Sequence, residues 1–257
     1  HHLNEDTDRV WEKIMQPLVE FRALSFCSSE GGRELVKDTR LTKIYFTGGV
    51  ETAKAIMSST DSEFISECGG NNPCIIVPGD KPWTKKEIQH QAMQLATIAK
   101  MNGGAVCGRI QTIVTSKNWA QREEFLEELT NAIENETPAT ASYYPGTDKV
   151  IAGFQENHPE AKVLEPEKGK YKNSKFLFIK GAQAESYAVK NEAFCQITSE
   201  AALDTQATAD TFLPEAVKFC NTKLLGTLGS TIIIDKETMN NHKKTLDQAV
   251  SDMEYGA

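Results

Sequence analysis

Two stretches of this 257-residue chain put reactive side chains in settings suited to covalent chemistry. The first is Met101-Asn-Gly-Gly-Ala-Val-Cys107-Gly-Arg109, where glycines and small residues let the backbone come close to one cysteine. An unperturbed thiol has a pKa of about 8.5 and is only a few per cent thiolate at pH 7, so a nucleophilic cysteine depends on polar surroundings such as backbone N–H groups. Cys107 is the candidate nucleophile, although a cysteine beside glycines, taken alone, is more often inert core. The second stretch is Phe64-Ile-Ser-Glu67-Cys68-Gly69-Gly70-Asn71-Asn72-Pro73, in which an acid ends an apolar run beside flexible backbone. A carboxylate held at a strand end suits a general base that activates water. Glu67 is therefore the candidate base, and a solvated turn glutamate is the plain alternative.

Periodicity says what must position these groups. Ile88, Ala92, Leu95, Ala96 and Ala99 recur at the three-and-four spacing of one helix face, which predicts a helix over 84–100. Asn102-Gly103-Gly104 stops it, because glycine takes the left-handed conformation that ends helices. Ile110-Gln-Thr-Ile-Val114 is β-branched and reads as a strand, so Cys107 falls on a helix-to-strand corner. Cys74-Ile-Ile-Val77 is a further strand.

Nearer the start, Val10, Trp11, Ile14, Met15, Leu18 and Val19 form a helical face that Pro17 should kink or shorten. Residues 23–27 read as a short buried strand, 30–37 as a helix, 43–46 as a strand and 51–58 as a helix. This alternation implies a parallel sheet, and ligands collect at the carboxyl ends of such strands, where Thr47-Gly48-Gly49 falls. Beyond the cysteine, Phe125, Leu126, Leu129 and Ile133 make an apolar stripe opposite Glu123, Glu124, Glu127 and Glu128, which read as a solvated helix face.

Residues 147–157 read as a helix, 158–174 as a polar loop with His158 at the surface, and 176–179 as a strand. Glu192-x-Phe194 leads into strand-like Cys195-Gln-Ile-Thr198. Two residues apart in a strand share a face, so this carboxylate and ring could meet one ligand together. A helix around 213–224, a strand over 230–234 and a helix over 237–253 complete the chain.

Composition narrows the function classes. A content of 39% hydrophobic and 25% charged residues is ordinary for a globular protein. A net charge of −8 with no basic stripe argues against a nucleic-acid partner. No apolar run approaches a membrane span and no targeting pattern is evident, so no membrane partner is expected. The six cysteines are scattered without metal-ligand spacing, so no metal is expected and a reducing compartment, cytoplasm or organelle matrix, fits best. His1 and His2 could be the remnant of an expression tag, and two histidines are too few to decide.

Four stretches, in order, resemble the aldehyde dehydrogenase superfamily. Phe46-Thr47-Gly48-Gly49 is similar to its Phe-Thr-Gly-Ser turn, with Gly49 for serine. Glu67-Cys-Gly69-Gly70-Asn-Asn72-Pro73 resembles its Glu-Leu-Gly-Gly-x-x-Pro motif. Asn102-Gly103-Gly104-Ala105-Val106-Cys107 resembles Asn-Gln-Gly-Gln-x-Cys, with both glutamines lost. Glu192-Ala193-Phe194 resembles Glu-x-Phe-Gly-Pro, with Cys195-Gln196 for Gly-Pro.

The resemblance implies an α/β fold: a partial Rossmann-like parallel sheet over 1–67, then a cysteine-bearing catalytic α/β domain over 68–257. It implies oxidation of an aldehyde with NAD or NADP, through a thiohemiacetal and thioester on Cys107 that Glu67-activated water hydrolyses. Gly48, Gly49, Glu192 and Phe194 would contact the cofactor, and the full-length protein would be a homo-oligomer. Retention of Glu67 favours water over coenzyme A as acyl acceptor. The resemblance covers about the later half of a typical member, which implies a fragment of low activity by itself. The lost glutamines and Gly-Pro leave open a non-catalytic scaffold or binding protein. A cysteine hydrolase is weaker, because none of the five histidines falls in a motif.

Overall fold

The computed structural model describes residues 5–166, 171 and 174–256. His1 and His2, and part of the segment read as a polar loop, lie outside the described residues. The chain divides into two compact units, His1–Cys68 and Gly69–Ala257.

The first unit runs α1 (Glu5–Ile14), α2 (Gln16–Glu20), α3 (Ser29–Leu35), β1 (Lys43–Thr47), α4 (Val50–Met57) and β2 (Glu63–Glu67). The break between α1 and α2 puts Pro17 in the first turn of α2, where its missing N–H leaves no helical bond unmade. β1 and β2 pair in parallel, with Thr47 opposite Glu67. The strand expected at 23–27 does not form, and only Leu24 there is partly buried. The reason is local: Arg22 takes a left-handed conformation with φ of 61°, and the N–H groups of Ala23 and Leu24 turn back to Leu18 O at 2.9 and 3.3 Å. Those donors cap α2 and are lost to any ladder.

The second unit runs β3 (Asn72–Ile76), α5 (Lys85–Lys100), β4 (Ile110–Ser116), α6 (Arg122–Asn131), α7 (Thr147–Asn157), β5 (Lys162–Leu164), β6 (Phe176–Lys180), α8 (Tyr187–Lys190), β7 (Ile197–Leu203), α9 (Ala209–Thr222), β8 (Thr231–Ile233), α10 (Lys236–Asn241) and α11 (Lys243–Asp252). Its sheet has the order β5-β6-β7-β4-β3-β8. All neighbours are parallel except β5, which runs antiparallel to β6.

Alternation along the strands splits the core between two faces. Cys74 and Ile76 pack with Ile88, Leu95, Phe125 and Leu129 of α5 and α6. Ile75 and Val77 pack with Phe212, Leu213, Ala216 and Val217 of α9. Thr84 caps α5 through a capping box with Glu87. Among the described residues no helix is long and apolar enough to cross a membrane.

The polar run after α7 is not all loop, since Lys162–Leu164 forms β5. Only Leu164 of the three is buried, so one apolar side chain and the edge of β6 recruit a segment whose own pattern is weak. His158 is also not at the surface: it is buried, with Nε2 accepting from Ala188 N at 3.1 Å and Nδ1 beside Glu160 Oε1 at 2.9 Å. Its imidazole supplies an acceptor that fixes the start of α8, a role that leaves no trace in sequence spacing.

Glu200 and Lys100 are two of the buried charged residues of this unit. Glu200 on β7 is fully buried and takes Arg122 Nε and Nη2 on its two oxygens, each at 2.8 Å, together with Gly181 N at 3.0 Å and the Thr115 hydroxyl. Removing the cation leaves a sealed carboxylate without a counter-charge. Arg122→Met should therefore destabilise the fold by about 3–5 kcal/mol, read from the denaturant midpoint. A loss below about 1 kcal/mol would show that Glu200 does not depend on Arg122 for its counter-charge.

Lys100, at the end of α5, is 2% exposed and donates to Ile133 O, Thr137 O and Thr137 Oγ1 at 2.9–3.0 Å. Burial pushes its pKa down from 10.5 to about 8. Between those values the unfolded chain holds a proton on Lys100 that the folded chain does not, so stability rises with pH through that window. The stability difference between wild type and Lys100→Met should grow in favour of wild type from pH 8 to about pH 10. A difference that stays flat would contradict the depressed pKa.

Candidate functional site

α5 ends in a tight 3-10 turn, Met101–Gly104, in which three successive residues are left-handed: Asn102 at φ 50°, Gly103 at φ 65° and Gly104 at φ 81°. Asn102 is held there by its own side chain, which donates to Ala105 O at 3.1 Å and to the Tyr143 hydroxyl at 2.6 Å. The two glycines also permit close approach. A Cβ on Gly103 would lie 2.1 Å from Ala141 O, and one on Gly104 would lie 2.2 Å from the Cys195 carbonyl carbon. The turn is thus pressed onto the 141–143 and 195–196 segments while the chain rises to an exposed Cys107. Arg109, two residues on, is buried again.

Asn72, at the head of β3, fixes this corner. Its Nδ2 donates to Cys107 O at 2.6 Å and to Arg109 O at 2.7 Å, and its Oδ1 accepts from Gly229 N at 3.0 Å. Asn71 performs the matching task for α8 and the residue that follows it. Its Nδ2 reaches Ala188 O, Val189 O and Asn191 O at 3.1–3.3 Å, and its Oδ1 accepts from Thr112 at 2.7 Å.

Gly70 sits where these segments meet. A Cβ there would fall 2.4 Å from Glu192 Oε1 and 3.0 Å from Cys107 O, and the Gly70 N–H donates to the Glu192 carboxylate. The Glu192 carboxyl lies above the usual range because burial outweighs that N–H and the charge of Arg109. Arg109 is sealed in, donating to Ile197 O at 2.8 Å and Ile110 O at 3.2 Å, and burial lowers its pKa to about 10.

Glu192 and Phe194 do not share a strand face. The segment between α8 and β7 is irregular, and Phe194 itself is left-handed with φ of 49°. The pleat therefore does not align the two side chains. Glu192 turns to Gly70, and the Phe194 ring packs edge-on against Tyr144 with centroids 4.9 Å apart.

Gly48, Gly49 and Glu67 belong to the first unit, where parallel pairing brings them together. Gly48 N donates to Glu67 O at 3.2 Å, joining the carboxyl ends of β1 and β2. The Phe46 ring covers Gly48, since a Cβ there would meet it at 2.6 Å. Gly49 begins α4 without a side-chain cap and with no atom within 4 Å of a built Cβ. An uncapped helix start beyond a parallel strand presents free N–H groups to an anion. The Glu67 side chain is exposed.

Cys107 and Glu192 thus come together in one unit, Gly48, Gly49 and Glu67 in the other. The positions that sequence reasoning left without a role are Gly70, Asn71, Asn72, Arg109, Gln111 and Tyr144. A signal existed for some of them: Asn71, Asn72 and Gln111 are polar side chains at the start of two apolar strands, where burial without a partner would be costly.

A sequence profile described as the aldehyde dehydrogenase family matches residues 17–148. The lactaldehyde dehydrogenase of Methanococcus aeolicus is 27% identical over 132 residues, which are 49% of this chain and 26% of that protein. The NADP-dependent glyceraldehyde-3-phosphate dehydrogenase of Bacillus halodurans, solved with NADP, superposes with a TM-score of 0.69 at 16% identity, covering 91% of this chain and 47% of that one. An indole-3-acetaldehyde dehydrogenase solved with NAD+ superposes with a TM-score of 0.65 at 17% identity, covering 88% and 45%. At these identities the superpositions establish the α/β fold. The chain spans about a quarter of the curated relative and under half of each solved structure.

Proposed function

Because the chain belongs to the aldehyde dehydrogenase family, we propose that it carries the nucleophile and base of an enzyme that oxidises an aldehyde to the carboxylic acid with NAD or NADP. The observation that carries this reading is the setting of Cys107: an exposed thiol on a turn whose glycines and Arg109 are buried, with its carbonyl pinned by Asn72. A nucleophile must be reachable, yet its backbone must be still.

Cys107 Sγ, its proton passed to solvent, bonds to the aldehyde carbon as the carbonyl π bond breaks, and the resulting oxyanion accepts a hydrogen bond from the Cys107 N–H. Once the carbon has been oxidised, the acyl group remains on Cys107 as a thioester. Glu67 then takes a proton from the water that attacks the thioester carbonyl, which releases the acid and returns the thiolate.

NAD(P), when bound, supplies the hydride acceptor. The uncapped start of α4 fits a phosphate of such a cofactor, with Gly49 leaving open space there and Gly48 letting the Phe46 ring close over the turn. Glu192 would accept hydroxyl hydrogen bonds, and the Phe194 ring, braced by Tyr144, offers an apolar face. Aldehyde as substrate, assembly into a homo-oligomer and residence in a reducing cytoplasm or organelle matrix belong to the same reading. It is tested by aldehyde-dependent NADH and NADPH formation by the full-length protein, across short, long and aromatic aldehydes. A folded protein silent with all of them would leave a non-catalytic member of the family.

A further inference from the structure

The β3–β4 ladder holds an irregularity at the site. Asn72 pairs with Ile110 but Pro73 pairs with Thr112, so β4 carries one extra residue, Gln111, opposite the Asn72-Pro73 step. A bulge frees one residue from the alternation and re-aims its side chain. Gln111 is 1% exposed and points both of its amide atoms at the segment that bears Glu192. Its Nε2 donates to Asn191 O at 2.7 Å, and its Oε1 accepts from Ala193 N at 2.7 Å. It thus grips the backbone on both sides of Glu192. On the other strand of the same step, Asn72 is 2% exposed and its amide grips Cys107 O and Arg109 O.

We propose that this bulge is the positioning device of the site, with Asn72 holding the Cys107 turn and Gln111 holding the Glu192 segment as two separate tasks. The Cys107 and Glu192 halves rest on the function proposed above. The packing supports a division of labour. The Asn72 amide holds the Cys107 turn and takes Gly229 N on its oxygen, and the Gln111 amide holds the backbone on both sides of Glu192, with a weak Arg109 Nη2 contact to Gln111 Oε1 at 3.4 Å between the two. An apolar residue at 72 would take the amide away from Cys107 O, Arg109 O and Gly229 N, and one at 111 would leave Ala193 N without this acceptor and Asn191 O with the longer Asn71 contact.

The test compares wild type, Asn72→Ala and Gln111→Met as full-length proteins with three readouts. These are the iodoacetamide rate of Cys107 by peptide mass spectrometry with exposed Cys27 as internal standard, NADH affinity by fluorescence titration, and thermal unfolding. Asn72→Ala should slow Cys107 labelling about tenfold relative to Cys27 while NADH affinity stays within about twofold. Gln111→Met should weaken NADH about tenfold with Cys107 labelling within about twofold. Gln111→Glu, which retains the Ala193 acceptor, should recover part of that loss.

Because labelling and cofactor binding do not require turnover, both arms are read even if no aldehyde is oxidised, which separates failure of this proposal from failure of the functional one. Equal shifts of both readouts in both variants, in step with the loss of thermal stability, would make the bulge merely structural and overturn the proposal. So would variants that bind and label like wild type.

Discussion

Cys107→Ala should abolish aldehyde-dependent NAD(P)H formation, a loss of at least about a thousandfold, because without sulfur no covalent adduct forms and the remaining groups can only bind. The fold should hold, since Cys107 is exposed and the contacts of its turn run through its backbone carbonyl to Asn72. Glu67→Gln should behave differently. The amide keeps the shape of the carboxylate but cannot take a proton from water, so a single burst of NAD(P)H, close to one per site, should be followed by turnover at least about a hundredfold slower. A burst in the glutamine variant and none in the alanine variant assigns the two halves of the reaction to the two residues. Loss of the burst in both would move Glu67 to an earlier step.

Gly104→Ala should be among the most disruptive single substitutions in the second unit, costing about 3 kcal/mol or more. Two penalties add. The residue is left-handed at φ 81°, which a side chain resists. Its Cβ would also lie 2.2–2.7 Å from three backbone atoms of Cys195 and Gln196, which have no rotamer into which to retreat. Gly108→Ala is the control: it follows Cys107 directly, has no positive φ and meets nothing within 4 Å, so its effect should stay within about 0.5 kcal/mol. Equal denaturant midpoints for the two variants would mean that the turn relaxes away from the Cys195 segment and that its close approach is not required.

The helices and strands around the cysteine were legible because each carries its own signal. α5 shows periodic apolar residues and a glycine stop, and β3 and β4 carry apolar or β-branched runs, whereas β7 shares only 197–198 with the strand read at 195–198 and continues to Leu203 through Ser199 and Glu200. What sequence could not supply are the structures that depend on a distant partner. Residues 23–27 are as apolar as a strand, yet their first N–H groups close α2. Lys162–Leu164 looks polar, yet β6 takes it as an edge strand.

The candidate site divides along the same line. Cys107, Glu67 and Glu192 are visible as motif residues, and the structure adds why Gly70 is glycine: a side chain there would run into the Glu192 carboxylate and the Cys107 carbonyl. Glu192 and Phe194 do not follow a strand pleat, because the backbone at Phe194 is left-handed and outside any ladder. Gln111 was hidden because a register shift, not a residue pattern, decides where its side chain points.

The central claim is that Cys107 carries the acyl group. The most direct measurement is intact and peptide mass spectrometry of full-length Glu67→Gln quenched in acid after one turnover with aldehyde and NAD(P). The expected result is one added acyl mass per chain, located on the peptide that contains Cys107, released by hydroxylamine and absent when the cofactor is omitted. An unmodified Cys107 in a sample that has produced one equivalent of NAD(P)H, or an acyl mass on another residue, would contradict the account.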